Sequence, residues 1–152
     1  MQTKVDQIKK LRAKTGAGIA DCRKALEDAK GDFAKAQELL KSWGIDKAAK
    51  KASRVVGAGL VETYVHAGGK VAAMVEVNCE TDFVVKTDEF KTLVHELAMQ
   101  IAAMDPATVE ELLKQEYIRD SSKTVEELVR EIIAKVGENI VVKRFMRFEL
   151  GQ

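Results

Sequence analysis

The sequence predicts an α+β chain: an N-terminal three-helix module, then a core whose three-stranded antiparallel sheet is covered by helices on one face. Three observations predict it. Apolar residues recur at helical spacing in three short stretches before residue 44, with glycines at their ends. Two β-rich runs then flank Ala67-Gly68-Gly69, a hairpin signal. A capped helical stripe after Thr124 finally leads into a long alternating strand. Three strands and two helices in this order give a core with helices on one sheet face.

In the first helix the stripe is Val5, Ile8 and Leu11, ended by Thr15-Gly16-Ala17-Gly18. Ile19, Cys22, Leu26 and Ala29 mark the second, closed by Gly31. Asp32 is placed to cap the third, whose stripe is Phe33, Ala36, Leu40 and Trp43, with Gly44 after it. This bounds a module at residues 1–44, small enough for marginal stability of its own. Residues 45–56 carry Lys47, Lys50, Lys51 and Arg54 and little large apolar surface, so they read as a short solvated helix or a basic linker. Residues 57–152 form the core domain.

Within that core, strands are expected near Leu60–His66 and Val71–Cys79. A helix fits Asp88–Met104, with Phe90, Leu93, Val94, Leu97, Ala98 and Ile101 on one face and Asp105-Pro106 ending it. Residues 107–123 are ambiguous between a short helix and an extended piece. Thr124-Val125-Glu126-Glu127 is a capping box, and Val125, Leu128, Val129, Ile132, Ile133 and Val136 keep the helical spacing as far as Gly137. In the final strand, Asn139–Leu150, the residues Ile140, Val142, Met146, Phe148 and Leu150 share a face with one exception, Arg144, while Val141 and Phe145 lie on the other.

Charge is divided unevenly. Residues 1–54 hold 14 Lys and Arg against 7 Asp and Glu, whereas residues 55–152 hold 11 against 17. A basic module therefore precedes an acidic one, suited to nucleic acid or to an acidic protein face. No apolar run approaches the ~20 residues that span a bilayer, and MQTKVDQIKK is no secretory signal. Both point to the cytoplasm. Cys22 and Cys79 fall on apolar positions and read as buried free thiols.

Catalytic chemistry finds little support. His66 and His95 lack a Ser, Cys or Asp placed as a recognisable partner. Cys22, His66, Cys79 and His95 lack the close paired spacing of a zinc site. Gly16, Gly18, Gly68 and Gly69 do not build a phosphate cradle, since no strand precedes Thr15-Gly16-Ala17-Gly18 and no Gly-Lys-Ser/Thr ends it. No metal or cofactor is expected. Lys41, Lys47, Lys50, Lys51 and Arg54, with Arg12 and Lys14, keep nucleic-acid binding as the alternative function, although no aromatics are interleaved among the basic residues.

The most informative stretch is Glu76–Lys86, EVNCETDFVVK. Val71, Ala73, Val75, Val77 and Cys79 share one strand face, and the pattern then breaks into Thr81-Asp82-Phe83-Val84 before the next helix. Taken by themselves, Phe83 is a core plug and Asp82 a turn or capping residue. Leu11–Leu26, LRAKTGAGIADCRKAL, changes the weighting. That segment resembles the N-terminal signature of the elongation factor Ts family, EVNCETDFVVK resembles the family's second signature, and Val136–Gly151, VGENIVVKRFMRFELG, is similar to the closing segment of its short members.

The resemblance implies a guanine nucleotide exchange factor for the translation GTPase elongation factor Tu, free of covalent chemistry. It implies that the first module is ubiquitin-associated-like. It also implies that Thr81, Asp82, Phe83 and Val84 form a loop that inserts near the partner's magnesium site, with the aromatic ring wedged between partner side chains. Arg12, Ile19 and Ala20 match positions that touch the partner, though Ile19 also fits the core stripe of its helix. Short members pair their cores as homodimers, and an uncovered sheet face here would invite the same through Phe145 and its neighbours; residues 107–123 folded over that face would instead leave a monomer. The chain departs from the family in two places. Gln100 follows Ala98-Met99 where many members have His, and the long helical hairpin after the central helix is missing.

Overall fold

The computed structural model describes residues 4–152; residues 1–3 of the expected first module lie outside them. The chain divides into two compact units, residues 1–50 and 51–152. In the first, α1 (Lys4–Thr15), α2 (Ile19–Asp28) and α3 (Phe33–Lys51) follow one another through tight turns. Gly31, at φ 84°, lets its N–H turn back to the Leu26 carbonyl at 2.8 Å and so closes α2. Asp32 caps α3 as expected, its carboxylate accepting from the Lys35 N–H at 3.0 Å. Leu11, Cys22, Ala25, Leu26, Ala29, Ala36 and Leu40 make the core, with Ile8, Phe33, Leu39 and Trp43 packed around it.

The third helix does not stop at Gly44. It continues to Lys51, because Asp46–Lys51 consists mainly of strong helix formers and Lys47 pairs with Asp21 at 2.6 Å. These gains offset the ~1 kcal/mol that an interior glycine costs. Ile19 also departs from its stripe. It lies in the first turn of α2 and is exposed, whereas Cys22 and Leu26 are buried.

In the second unit, β1 (Ala58–Val65), β2 (Val71–Cys79) and β5 (Ile140–Glu149) form an antiparallel sheet in the order β1-β2-β5. Between β2 and β5 the chain makes α4 (Asp82–Val85), α5 (Asp88–Met104), α6 (Val109–Lys114), the hairpin β3 (Glu116–Tyr117) and β4 (Asp120–Thr124), and α7 (Val125–Val136). Helix α5 lies against the sheet, while α7 packs on α5, α6 and the small hairpin. Phe90, Leu93, Val94, Leu97 and Ile101 of α5 and Ala73, Val75, Val77 and Cys79 of β2 are all buried where the helix packs on the sheet. The capping box forms: Thr124 and Glu127 exchange hydrogen bonds at 3.2 and 2.9 Å.

The final strand corrects its own alternation pattern. Val77 faces Val142 and Glu76 faces Arg144, so Lys143 is an extra residue, a β-bulge. A bulge shifts the phase of every residue beyond it. Val142 and Phe145 therefore share the helix-covered side with Val77 and Val75. Met146 and Phe148, opposite Met74 and Ala72, point to the other side. Arg144 is an exception only if the bulge is missed.

Residues 107–123 become a short helix and a hairpin, locked by Gln100. Its side chain is fully buried on α5. Its amide donates to Gln115 Oε1 at 3.2 Å and to the Glu116 carbonyl at 3.1 Å, and its oxygen accepts the Ile118 N–H at 2.9 Å. Beside it, the Tyr117 hydroxyl donates to Glu96 at 2.7 Å. Burial, that hydrogen bond and the Glu96 charge push the phenol up to about 12, so it keeps its proton at neutral pH. Gln100→Leu, close in volume, strands these polar groups and is expected to lower stability by about 1–3 kcal/mol in denaturant unfolding.

Candidate functional site

At Cys79 the sheet ends, and the chain passes through the single turn α4 before entering α5 at Asp88. Val84 points inward and is buried. The Thr87 hydroxyl donates to the Val84 carbonyl at 2.7 Å and accepts from the Phe90 N–H at 3.3 Å, joining the turn to α5. With Val84 facing in, its neighbours on so tight a turn face out. Asp82 is exposed, and Phe83 is 84% exposed. Phe83 is thus no core plug: an apolar ring stands in water on a turn fixed from within.

The turn is held from its other end too. The Glu138 carboxylate accepts the Thr81 N–H at 2.9 Å and the Thr81 hydroxyl at 2.6 Å. Glu80, one residue earlier, accepts the Asn139 N–H at 2.7 Å and lies 3.5 Å from Arg54. Asn139 is buried and its amide donates to the carbonyls of Ala52 and Arg54 at 3.3 and 3.0 Å. Cys79 donates to the Thr81 carbonyl at 3.4 Å. Burial first, and then the negative charge of Glu138 and Asp82, push that thiol up, so it is a packing group and not a nucleophile at neutral pH.

The residues expected to meet a partner in the first unit gather around one turn. Arg12 is exposed in the last turn of α1, and Ile19 and Ala20 are exposed in the first turn of α2. Between them Gly16, at φ 69°, returns its N–H to the Arg12 carbonyl at 2.8 Å. Ile19 at 59% exposure resolves its two readings: it is a surface residue. Thr81–Val84 belong to the second unit.

Glu80, Glu138 and Asn139 were not singled out as site residues. The available signal was Gly137-Glu138-Asn139, three non-apolar residues between a helix and a buried strand. Their partners lie 57 and 59 residues away, a distance that no local pattern bridges. The histidines build no centre either. His66 and His95 both approach Tyr64, at 3.1 Å to its hydroxyl and 6.1 Å between ring centres respectively. Among the described residues, no group of three or more His, Cys, Asp or Glu comes together to hold a metal, and no helix is long and apolar enough to cross a membrane.

The family model described as Elongation factor TS matches residues 80–152. The elongation factor Ts of Thermoanaerobacter sp. (strain X514) is 45% identical over an alignment 190 residues long, covering 95% of this chain and 93% of the relative. The chain belongs to the elongation factor Ts family. The family member of Coprothermobacter proteolyticus is 41% identical with both chains covered completely, and that of Nostoc sp. is 50% identical over 94% of this chain and 45% of its own length. Family membership makes this a translation elongation factor.

The 190-residue alignment is longer than the chain of 152, so the Thermoanaerobacter relative carries residues without a counterpart here. In this chain the connection between α5 and α7 consists of α6 and the β3–β4 hairpin. Gln100 closes it from inside and is therefore taken up by structure, with no atom left for a partner.

Proposed function

We propose that this chain is a cytoplasmic guanine nucleotide exchange factor for elongation factor Tu, which it engages in the GDP-bound and nucleotide-free states. The observation that carries the reading is Phe83, 84% exposed on a turn whose two ends are pinned. Leaving such a ring in water is unfavourable, and seating it in a partner removes about 150–250 Å² from solvent. A bound Mg²⁺ is among the largest local charges at a nucleotide site, so a loop that displaces its surroundings loosens the nucleotide. Factor and nucleotide then lower one another's affinity by the same factor, and release follows without covalent chemistry. Asp82, beside Phe83, supplies a negative charge to the same contact. Arg12, Ile19 and Ala20 supply a second contact.

Reciprocity is directly measurable. By calorimetry the chain should bind nucleotide-free elongation factor Tu more tightly than the GDP form, by the factor through which it weakens GDP. Equal affinity for both forms would rule out exchange. Nucleic-acid binding is disfavoured by the fate of the basic module's aromatics. Phe33 and Trp43 are packed against the module's core, with Lys10 and Lys14 5.9 and 5.8 Å from the Phe33 ring and Lys24 5.2 Å from the Trp43 ring, so neither stands free as a stacking platform.

The reading includes a homodimer through the sheet. On the side away from α5, Val61, Val65, Met74, Met146 and Phe148 are exposed together, and Phe148 is 68% exposed. A second copy of the same face is self-complementary under a two-fold axis. Residues 107–123 leave it open: α6 lies against α7 and β5 and Gln100 ties the segment to α5, while Met74, Met146 and Phe148 stay exposed.

Removing the first unit should separate docking from folding. A cut after Arg54 would strip the buried Asn139 amide of both its carbonyl acceptors. Deletion of residues 1–50 respects the unit boundary and keeps them. The shortened chain is expected to stay folded and to bind the GTPase at least tenfold more weakly, a loss of about 1.4 kcal/mol or more. Unchanged affinity would show that the first unit is dispensable for docking.

A further inference from the structure

We propose that Glu138 is a positioning residue for the exchange loop: its carboxylate, by holding the N–H and the hydroxyl of Thr81, aims the turn that presents Phe83. The proposal rests on the exchange-factor reading. The ladder between β2 and β5 ends at Cys79 and Ile140. Beyond that pair the two chains part, yet two side chains carry the pairing further in a crossed pattern. Glu138 takes the donors of Thr81, and Glu80 takes the N–H of Asn139. Hydrogen bonds to an ionised acceptor are roughly twice as strong as neutral ones.

The geometry favours positioning over plain support. Thr81 stands at the N-cap of α4, where its hydroxyl would ordinarily accept from the backbone of its own helix. It makes no such bond and donates to Glu138 instead. Thr81 is also the extended residue, at φ −135° and ψ 156°, from which the turn departs. Phe83, two residues on, is too exposed for neighbouring side chains to set its direction. Its aim comes from the two ends of the turn: Val84 with Thr87 on one side, Thr81 with Glu138 on the other. Glu138 is fixed in its turn by Gly137, at φ 79°, and by the buried Asn139. A ring presented in its bound direction loses less freedom on docking.

The test combines Glu138→Ala, Glu138→Gln and Thr81→Val with the parent and Phe83→Ala chains. In the free protein, Glu138→Ala should raise amide hydrogen exchange at residues 81–85 by about tenfold or more while α5 keeps its protection. It should slow GDP release from elongation factor Tu about tenfold in the parent, but less than about twofold in the Phe83→Ala background, because it acts through that ring. Glu138→Gln retains an oxygen for the Thr81 N–H and should restore most of the rate. Thr81→Val, which removes only the hydroxyl, should fall between. Unchanged amide exchange at residues 81–85 in Glu138→Ala would overturn the positioning role whatever the GTPase does. Equal losses in both backgrounds would show that Glu138 does not work through Phe83. A parent chain that releases no GDP overturns the exchange reading itself, and the hydrogen-exchange result still decides whether Glu138 holds the turn.

Discussion

Phe83→Ala is expected to slow factor-driven GDP release by about thirtyfold or more, while the thermal unfolding midpoint stays within a few degrees of the parent. A hot-spot contact is worth at least ~2 kcal/mol, which is about thirtyfold in a rate. The fold should tolerate the change because Phe83 is 84% exposed and Val84, not Phe83, anchors the turn. Surface truncations away from packing usually stay within about 0.5 kcal/mol. Unfolding of the variant, with normal release by the fraction that remains folded, would return Phe83 to a structural role. Asp82→Ala should act in the same direction but more weakly, since an exposed carboxylate exchanges one set of contacts for water.

Phe148→Glu is expected to abolish self-association. Burying a phenylalanine contributes about 1.5–3 kcal/mol, and a two-fold interface counts it twice. Loss of both, with a carboxylate left facing an apolar surface, corresponds to at least about a hundredfold in the dimer dissociation constant. Sedimentation equilibrium should give twice the chain mass for the parent in the micromolar range and the single mass for the variant, with circular dichroism unchanged. A parent that sediments as a monomer there would remove the dimer. Phe145, the residue singled out on the sequence pattern alone, is the wrong probe: the bulge at Lys143 turns it to the helix-covered side opposite Val75. Phe145→Glu would disturb the core. Lys143→Glu, on the bulge itself, serves as the exposed control.

The fold was legible wherever the signal was local. The Asp88–Met104 stripe, Gly68-Gly69 and the Thr124–Glu127 box each act within one or two turns of chain, and each forms as read. The motif Thr81-Val84 was legible through its resemblance, but the exposure of Phe83 was not: an aromatic between a strand and a helix reads equally as core. What failed were features decided by distant partners. Gly44 sits inside a helix because Asp46–Lys51 strongly favours one and Lys47 finds Asp21. One extra residue, Lys143, inverts a strand. Gln100 looked like a partner position that had lost its histidine, and it is an internal lock. Glu138 reaches Thr81 across 57 residues, so its role is visible only once β2 and β5 are side by side.

Release of a fluorescent GDP analogue from elongation factor Tu, chased with excess unlabelled nucleotide, tests the central claim most directly. Substoichiometric amounts of the chain should accelerate release, with the observed rate rising in proportion to the chain added and falling about thirtyfold when Phe83 is alanine. A release rate that the parent chain leaves unchanged, or one that Phe83→Ala supports equally well, would contradict the account.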